Sequence, residues 1–186
     1  MEAYAIEGPA GSGKTTIIKE VANKVKGEIW DPQLLRPRDY GGPGLSLVRD
    51  ATQVQRMLTA DIPVVFDRFW LSAWVYDQLR DKDGSYPSIS VHLGHLWELL
   101  RWTKKYLQQR GFSFVNVDTH LTYIFCMPDF STLIKQRSET GKEYPFSADS
   151  ELAMYRQAYH ELEKVQGMFG QDFRITLTAV ESWNIT

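Results

Sequence analysis

Ile6-Glu7-Gly8-Pro9-Ala10-Gly11-Ser12-Gly13-Lys14-Thr15-Thr16 lies close to the start of this 186-residue chain. From Gly8 to Thr15 it fits G-x-x-x-x-G-K-[ST] without a mismatch. Glycines at this spacing let successive backbone N–H groups converge on one phosphate, and a helix starting at the same place adds its positive end. The surroundings suit the motif: "AYAIEG" (3–8) reads as a short buried strand, and residues 15–26 read as a helix. The expected cradle is Gly8, Pro9, Ala10, Gly11, Ser12, Gly13, Lys14, Thr15 and Thr16. Within it Lys14 would reach the β- and γ-phosphates of ATP, and the Thr15 hydroxyl would hold Mg²⁺. The competing reading is a glycine turn without a ligand. With glycine at about 7% of residues, a chance match in this length is roughly a one-per-cent event.

The rest of the chain alternates between strand and helix patterns. "EIWD" (28–31), "IPVVFD" (62–67), "LTYIFCMP" (121–128) and "FRITLT" (173–178) read as strands. Helices are expected over 45–59, 71–79, 91–110 and 148–169, and the Pro/Gly-rich "PQLLRPRDYGGPG" (32–44) reads as a loop. Strands that are apolar throughout imply a sheet covered on both faces. Helices between them imply an α/β fold, a parallel five-stranded sheet flanked by helices on both faces. We expect one domain over 1–186 with a short lid at about 135–147. Ligands in such folds gather beyond the carboxyl ends of the strands.

Composition narrows the function classes. The chain is 43% hydrophobic and 24% charged, ordinary for a globular protein. No apolar run approaches the roughly 20 residues of a membrane span. "MEAYAIEG" is acidic and enters a strand directly, so no signal peptide and no membrane partner are expected. The single cysteine, Cys126, excludes an intramolecular disulfide, and there is no metal-spaced Cys/His cluster. These features predict a cytoplasmic address. A formal charge of −2 supplies no broad basic surface for nucleic acid, which leaves DNA only as a reaction acceptor. A homodimer is compatible with the composition.

Many unrelated proteins share a phosphate cradle, so the destination of the phosphoryl group must be read elsewhere. A GTPase would need Asn-Lys-x-Asp after a strand, and the chain has none. A regulatory ATPase would need an acidic residue ending a strand, which Asp67 could be. A small-molecule kinase would need an acceptor pocket and a mobile basic segment. "VVFDRFWLSAWVYDQL" (64–79) favours the kinase. Asp67 ends a strand and could organise Mg²⁺ or its water. Arg68 follows, where a fixed planar cation can bridge two phosphates. Ser72 and Tyr76 share one helical face. A structural Asp–Arg ion pair is the plainer alternative.

Here the sequence resembles the thymidylate kinase family, within the P-loop deoxynucleoside and nucleoside-monophosphate kinases. The family's D-R-Y-x-x-S-x-x-A-Y-Q stands as Asp67-Arg68-Phe69-x-x-Ser72-x-x-Val75-Tyr76-Asp77. "IEGPAGSGKTT", Asp31-Pro32 in place of Glu-Pro, and "GLSLVR" (44–49) with Arg49 extend the likeness. So do "LTYIFCMPDFSTLIKQR" (121–137) and "YRQAY" (155–159), and together they cover most of the chain. The resemblance implies phosphoryl transfer from ATP with Mg²⁺ to a small nucleotide, above all a pyrimidine deoxynucleoside monophosphate such as dTMP. It implies catalytic roles for Lys14, Asp67, Arg68, Arg137 and Asp31, and acceptor contacts from Asp31, Arg49, Arg68, Phe69, Ser72 and Tyr76. Thr15 and Asp67 would be the metal side of the site. Ala10 stands where the family often has an acidic residue reading the acceptor sugar. Asp31 also suits a deoxynucleoside kinase, as base for a 5′-hydroxyl. Further alternatives are a kinase acting on a hydroxyl of a modified pyrimidine nucleotide or DNA, and a P-loop ATPase switch.

"KQRSETGKEYPF" (135–146) carries Lys135, Arg137 and Lys142 around Gly141, either as a solvated loop or, by the resemblance, as the lid. Ser12 rather than an arginine lies in the cradle, so Arg137 is the first choice for a mobile catalytic cation. Phe69, Trp70, Tyr40 and Tyr76 are candidates for the wall of a base pocket and equally candidates for the core. His92, His95, His120 and His160 form no ligand pattern.

Overall fold

The computed structural model describes residues 2–30, 43–81, 84, 87–112, 118–165 and 173–180, with the backbone alone over 43–49. Asp31, Pro32 and Tyr40 lie outside the described residues, and so does the side chain of Arg49.

The strands are β1 (Glu2–Glu7), β2 (Glu28–Trp30), β3 (Val64–Asp67), β4 (Thr119–Cys126) and β5 (Phe173–Val180). They form one sheet in the order β2-β3-β1-β4-β5. Each described pairing is parallel: Ile6 lies opposite Asp67 on β3 and Ile124 on β4. β1 therefore sits centrally, and its carboxyl end opens between those of β3 and β4.

Side-chain alternation explains why the strands read as apolar throughout. Ala3, Ala5, Val64, Phe66, Leu121, Tyr123 and Phe125 face the larger core. That core is completed by α2 (Pro43–Thr59), α3 (Trp70–Arg80), α4 (Ile89–Gln109) and α6 (Ala148–Val165). Ile6, Val65 and Cys126 face the other way, against Ile17, Ile18 and Ala22 of α1 (Lys14–Val25). The remaining helix, α5 (Phe130–Thr140), runs from the end of β4 toward the cradle.

The main departure from the sequence reading is the expected lid. Residues 135–140 belong to α5, and α6 begins at Ala148, so the irregular piece is only 141–147. Local chemistry sets these limits. Asp129 caps α5, accepting from the Thr132 N–H at 2.9 Å. Gly141 ends it in the left-handed conformation, φ 59°, which costs glycine little. "IPVVFD" also starts late as a strand, because Pro63 has no N–H to give the ladder. Its carbonyl instead accepts from Glu28 N at 2.9 Å.

Candidate active site

The cradle is built at the end of β1. Gly11 and Gly13 take φ of 80° and 81°, a region closed to most side chains, and Gly13 caps α1. A Cβ on Gly8 would lie 2.4 Å from the Cys126 carbonyl oxygen, so the loop passes β4 too closely for any other residue. Of the first N–H groups of α1, that of Thr16 is given to Gly13 O at 3.1 Å, and helix geometry provides none for Lys14 and Thr15, which leaves these two for an anion. Lys14 is buried and folds back on the loop, its Nζ donating to the Pro9 carbonyl and, at 3.4 Å, to Ser12 Oγ. Burial, then the Arg68 charge, pushes its ammonium down to about 7. Thr15 and Thr16 are exposed at the mouth.

Across the sheet, β3 ends at Asp67, whose carboxylate carries no hydrogen bond among the described residues. Arg68 has φ 67°, outside the usual range for a residue with a side chain. Its neighbours fix it there. Arg68 N donates to Ile6 O at 3.2 Å, and Arg68 O accepts from Gln53 Nε2 of α2 at 2.9 Å. The guanidinium lies 5.2 Å from the Tyr76 ring centroid and 5.9 Å from that of Tyr155. Nη1 donates to Ser72 Oγ at 3.0 Å and to the Tyr155 hydroxyl. Ser72 Oγ in turn donates to Glu7, and Phe69 N donates to the other Glu7 oxygen at 2.8 Å. Glu7 is fully buried, and burial pushes its carboxyl up to about 7 against the pull of Ser72, Arg68, Phe69 and Lys14.

The α5–α6 segment reaches the same place from the other side. Arg137 Nε donates to Ala10 O and Nη1 to Phe146 O, both at 2.9 Å. Nη2 pairs with Glu151 Oε2 at 3.1 Å, out of hydrogen-bond alignment, and the guanidinium stacks 4.5 Å over Tyr144. Glu151 is wholly buried and accepts from Ala10 N at 2.8 Å and Tyr76 OH at 3.2 Å. Both polar groups of the Ala10 peptide are therefore held by α5 and α6. The Phe146 ring stacks on Tyr76 at 6.0 Å.

The structure thus brings Lys14, Thr15, Asp67, Arg68, Ser72, Tyr76 and Arg137 to one end of the sheet. Two expectations are corrected. Phe69 is not a pocket wall: its ring is 1% exposed and lies 5.0 Å from Phe66 and 6.4 Å from Tyr123. Only its backbone N–H serves the site. Trp70 is likewise core, packed on His92 and Tyr123. Arg137 is not carried by a loose loop; it stands in the last turn of α5, 8% exposed and already docked on the cradle.

The sequence reading missed Glu7, Gln53, Glu151 and Tyr155. A charged residue ending an otherwise apolar strand was a readable signal for Glu7. The others are polar residues on the buried faces of helices, and nothing local marks them.

No protein-family model and no curated protein matches the chain. Its fold is shared with solved structures at low identity. The YorR protein of Bacillus subtilis, in complex with phosphorylated GDP, superposes with a TM-score of 0.55 at 18% identity, covering 99% of this chain and 88% of that one. Deoxyadenosine kinase from M. mycoides, with bound dATP, gives 0.50 at 14% identity, covering 96% and 91%. The likeness is one of fold. It does not single out thymidylate kinase among the nucleotide-binding proteins of this architecture.

Proposed function

We propose that the chain is a P-loop kinase, transferring the γ-phosphoryl group of ATP to a small nucleoside or nucleotide acceptor in the cytoplasm. One observation carries the reading: a complete cradle with Lys14 at the end of β1 lies beside a rigidly held arginine, Arg68, at the end of β3. A hydrolytic switch can also use an arginine, but the spacing Asp67-Arg68 with Ser72 and Tyr76 is that of the acceptor-binding kinases the sequence resembles. The fold shared with a deoxyadenosine kinase supports the same reading.

Phosphoryl transfer is mostly positioning and charge neutralisation. Residues 8–16 would hold the ATP phosphates, with Lys14 leaving Pro9 and Ser12 to follow the transferring group. Thr15 and Asp67 fit Mg²⁺, since the hydroxyl is exposed and the carboxylate has no competing hydrogen bond among the described residues. The ion would supply charge neutralisation between the β- and γ-phosphates. Arg68 holds the acceptor oxygen, and Ser72 and Tyr76 stand beneath it. Arg49, within α2 one turn before Gln53, is the candidate for a second acceptor contact. Arg137 reaches the transferring group by exchanging Ala10 O and Phe146 O for phosphate oxygens.

The acceptor favoured by the Asp67–Tyr76 motif is a pyrimidine deoxynucleoside monophosphate such as dTMP. A deoxynucleoside is the second reading, favoured by Ala10 in the cradle and by the deoxyadenosine kinase likeness, with Asp31 as base. Incubation of labelled ATP with a panel of nucleosides, monophosphates and DNA tests both. Label on a monophosphate supports the first, and label on a nucleoside the second. Label on none of them, with ATP consumed, contradicts the kinase reading.

A further inference from the structure

Of the two carboxylates in β1, Glu2 is exposed at its start, whereas Glu7 at its end is 0% exposed. A buried carboxylate is costly unless it is well hydrogen-bonded, and an apolar substitute of similar size often serves stability as well or better. Glu7 faces the same side of the sheet as Ala3 and Ala5, toward α3 and α6. Hydrogen atoms can be counted in the cluster it enters. Phe69 N–H is given to Glu7 Oε1 and the single Ser72 hydroxyl hydrogen to Glu7 Oε2. The two Ser72 lone pairs are then free to accept from Arg68 Nη1 at 3.0 Å and from Tyr155 at 2.8 Å. Tyr155 donates in that contact because the only Ser72 hydroxyl hydrogen is already given to Glu7, while the Tyr155 oxygen accepts from Arg68 Nη1. Only one direction of donation satisfies every group: arginine to tyrosine and serine, tyrosine to serine, serine to glutamate. With its carboxyl ionised, Glu7 accepts twice and donates nothing, so the chain of bonds terminates on it.

We propose that Glu7 is a positioning residue for Arg68: acting through Ser72, it turns the guanidinium so that Nη1 is occupied and the Nε–Nη2 edge faces the acceptor. That edge carries no hydrogen bond among the described residues and is the geometry that meets two phosphate oxygens side by side. The backbone around Arg68 is held by Ile6 O, by Gln53 and by Glu7 Oε1 through Phe69 N–H, so it is the Ser72 branch of the Glu7 cluster that governs the side chain. Tyr155 belongs to α6, the helix that also supplies Glu151 to the cradle, so one helix meets both halves of the site. The inference rests on the kinase reading for its consequence, and on the hydrogen-bond order alone for the orientation of Arg68.

Glu7→Gln is the discriminating variant. Glutamine has one acceptor oxygen for two donors, so either Phe69 N–H loses its partner or the Ser72 hydroxyl must reverse. Steady-state kinetics should show an unchanged KM for ATP, a raised KM for the acceptor and a lower kcat. The expected loss is about ten- to a hundredfold in kcat/KM for the acceptor, the scale of a small misplacement. On an Arg68→Ala background the same substitution should add almost nothing. If Glu7→Gln does not fold, Ser72→Ala, which leaves the carboxylate in place, should give the same split. A parallel measurement needs no acceptor: in ¹⁵N-labelled protein the Arg68 Nη resonances should be resolved in the wild type, through hindered rotation, and collapse in Glu7→Gln or Ser72→Ala. Equal increases in both KM values with a lowered melting temperature would reduce Glu7 to a structural role, and so would full additivity with Arg68→Ala. Unaltered Nη signals would overturn the orientation argument directly. Failure of the wild type on every acceptor, with the Nη result as expected, would instead contradict the kinase reading and leave the positioning role standing.

Discussion

Lys14 and Glu7 show how much of this site is decided by single buried charges. Lys14 bends back on the loop, donating to Pro9 O and Ser12 Oγ. Lys14→Ala should therefore leave the folded state intact, removing a burial penalty with the charge, and should collapse turnover by a thousandfold or so. Near-normal turnover in that variant would mean the cradle is not where transfer happens. Glu7 makes a pH prediction. Burial raises its folded value to about 7, well above that of an exposed glutamate, so the folded form binds the proton more tightly. Its contribution to stability is complete below the unfolded value and is lost as pH rises through 7. Between pH 5 and 7 the wild type should lose about 2 kcal/mol of stability from this group, and Glu7→Gln should flatten that slope. Lys14 acts in the opposite sense, but only above pH 7, because its shift is downward to that value. Denaturant titrations at several pH values check it; an unchanged slope in Glu7→Gln would contradict the burial argument. The Glu7 signal was present in the sequence, one carboxylate closing an apolar strand, but the motif beginning at the next residue absorbed it.

At the scale of elements, α5 and α6 behave as a bracket on the cradle. Arg137 and Glu151 hold the carbonyl and the N–H of Ala10, and both are buried. Arg137→Ala leaves Glu151 as a buried carboxylate without its counter-charge, so it should destabilise the protein by about 3–5 kcal/mol as well as lower kcat. Arg137→Lys should restore stability in part and activity less, because a point charge cannot make the same three contacts. A melting temperature unchanged in Arg137→Ala would show that the bracket does not hold. The β1–β4 approach gives a second test at this scale. A Cβ at Gly8 meets a backbone oxygen at 2.4 Å, which cannot move aside as a side chain can. Gly8→Ala should cost more than about 2 kcal/mol, read by denaturant unfolding. Gly11→Ala, whose Cβ meets the flexible Arg137 side chain at 2.9 Å, should cost less stability and instead push Arg137 off Ala10. The glycine spacing announced the loop from the sequence. That Arg137 would stand in a helix and not a loop turned on Asp129 and Gly141, a cap and a stop whose separation leaves room for three turns.

For the whole molecule, the strand and helix alternation was legible because parallel strands covered on both faces carry unbroken apolar runs, and the order β2-β3-β1-β4-β5 places the cradle at the centre. Which polar residues converge there was not legible, since Gln53, Glu151 and Tyr155 meet Arg68 and Ala10 only through tertiary packing. In the kinase reading this arrangement serves transfer to an acceptor and not to water. In the proposed reaction Arg68 and Arg137 would act from either side of the transferring phosphoryl group, and a second substrate would complete the site. The direct measurement is ATP consumption, followed with and without the acceptor identified in the panel, together with the label recovered on that acceptor. Little ATP should be lost alone and, once acceptor is present, one labelled product should form for each ATP consumed. Steady hydrolysis of ATP at the same rate in both cases would contradict it.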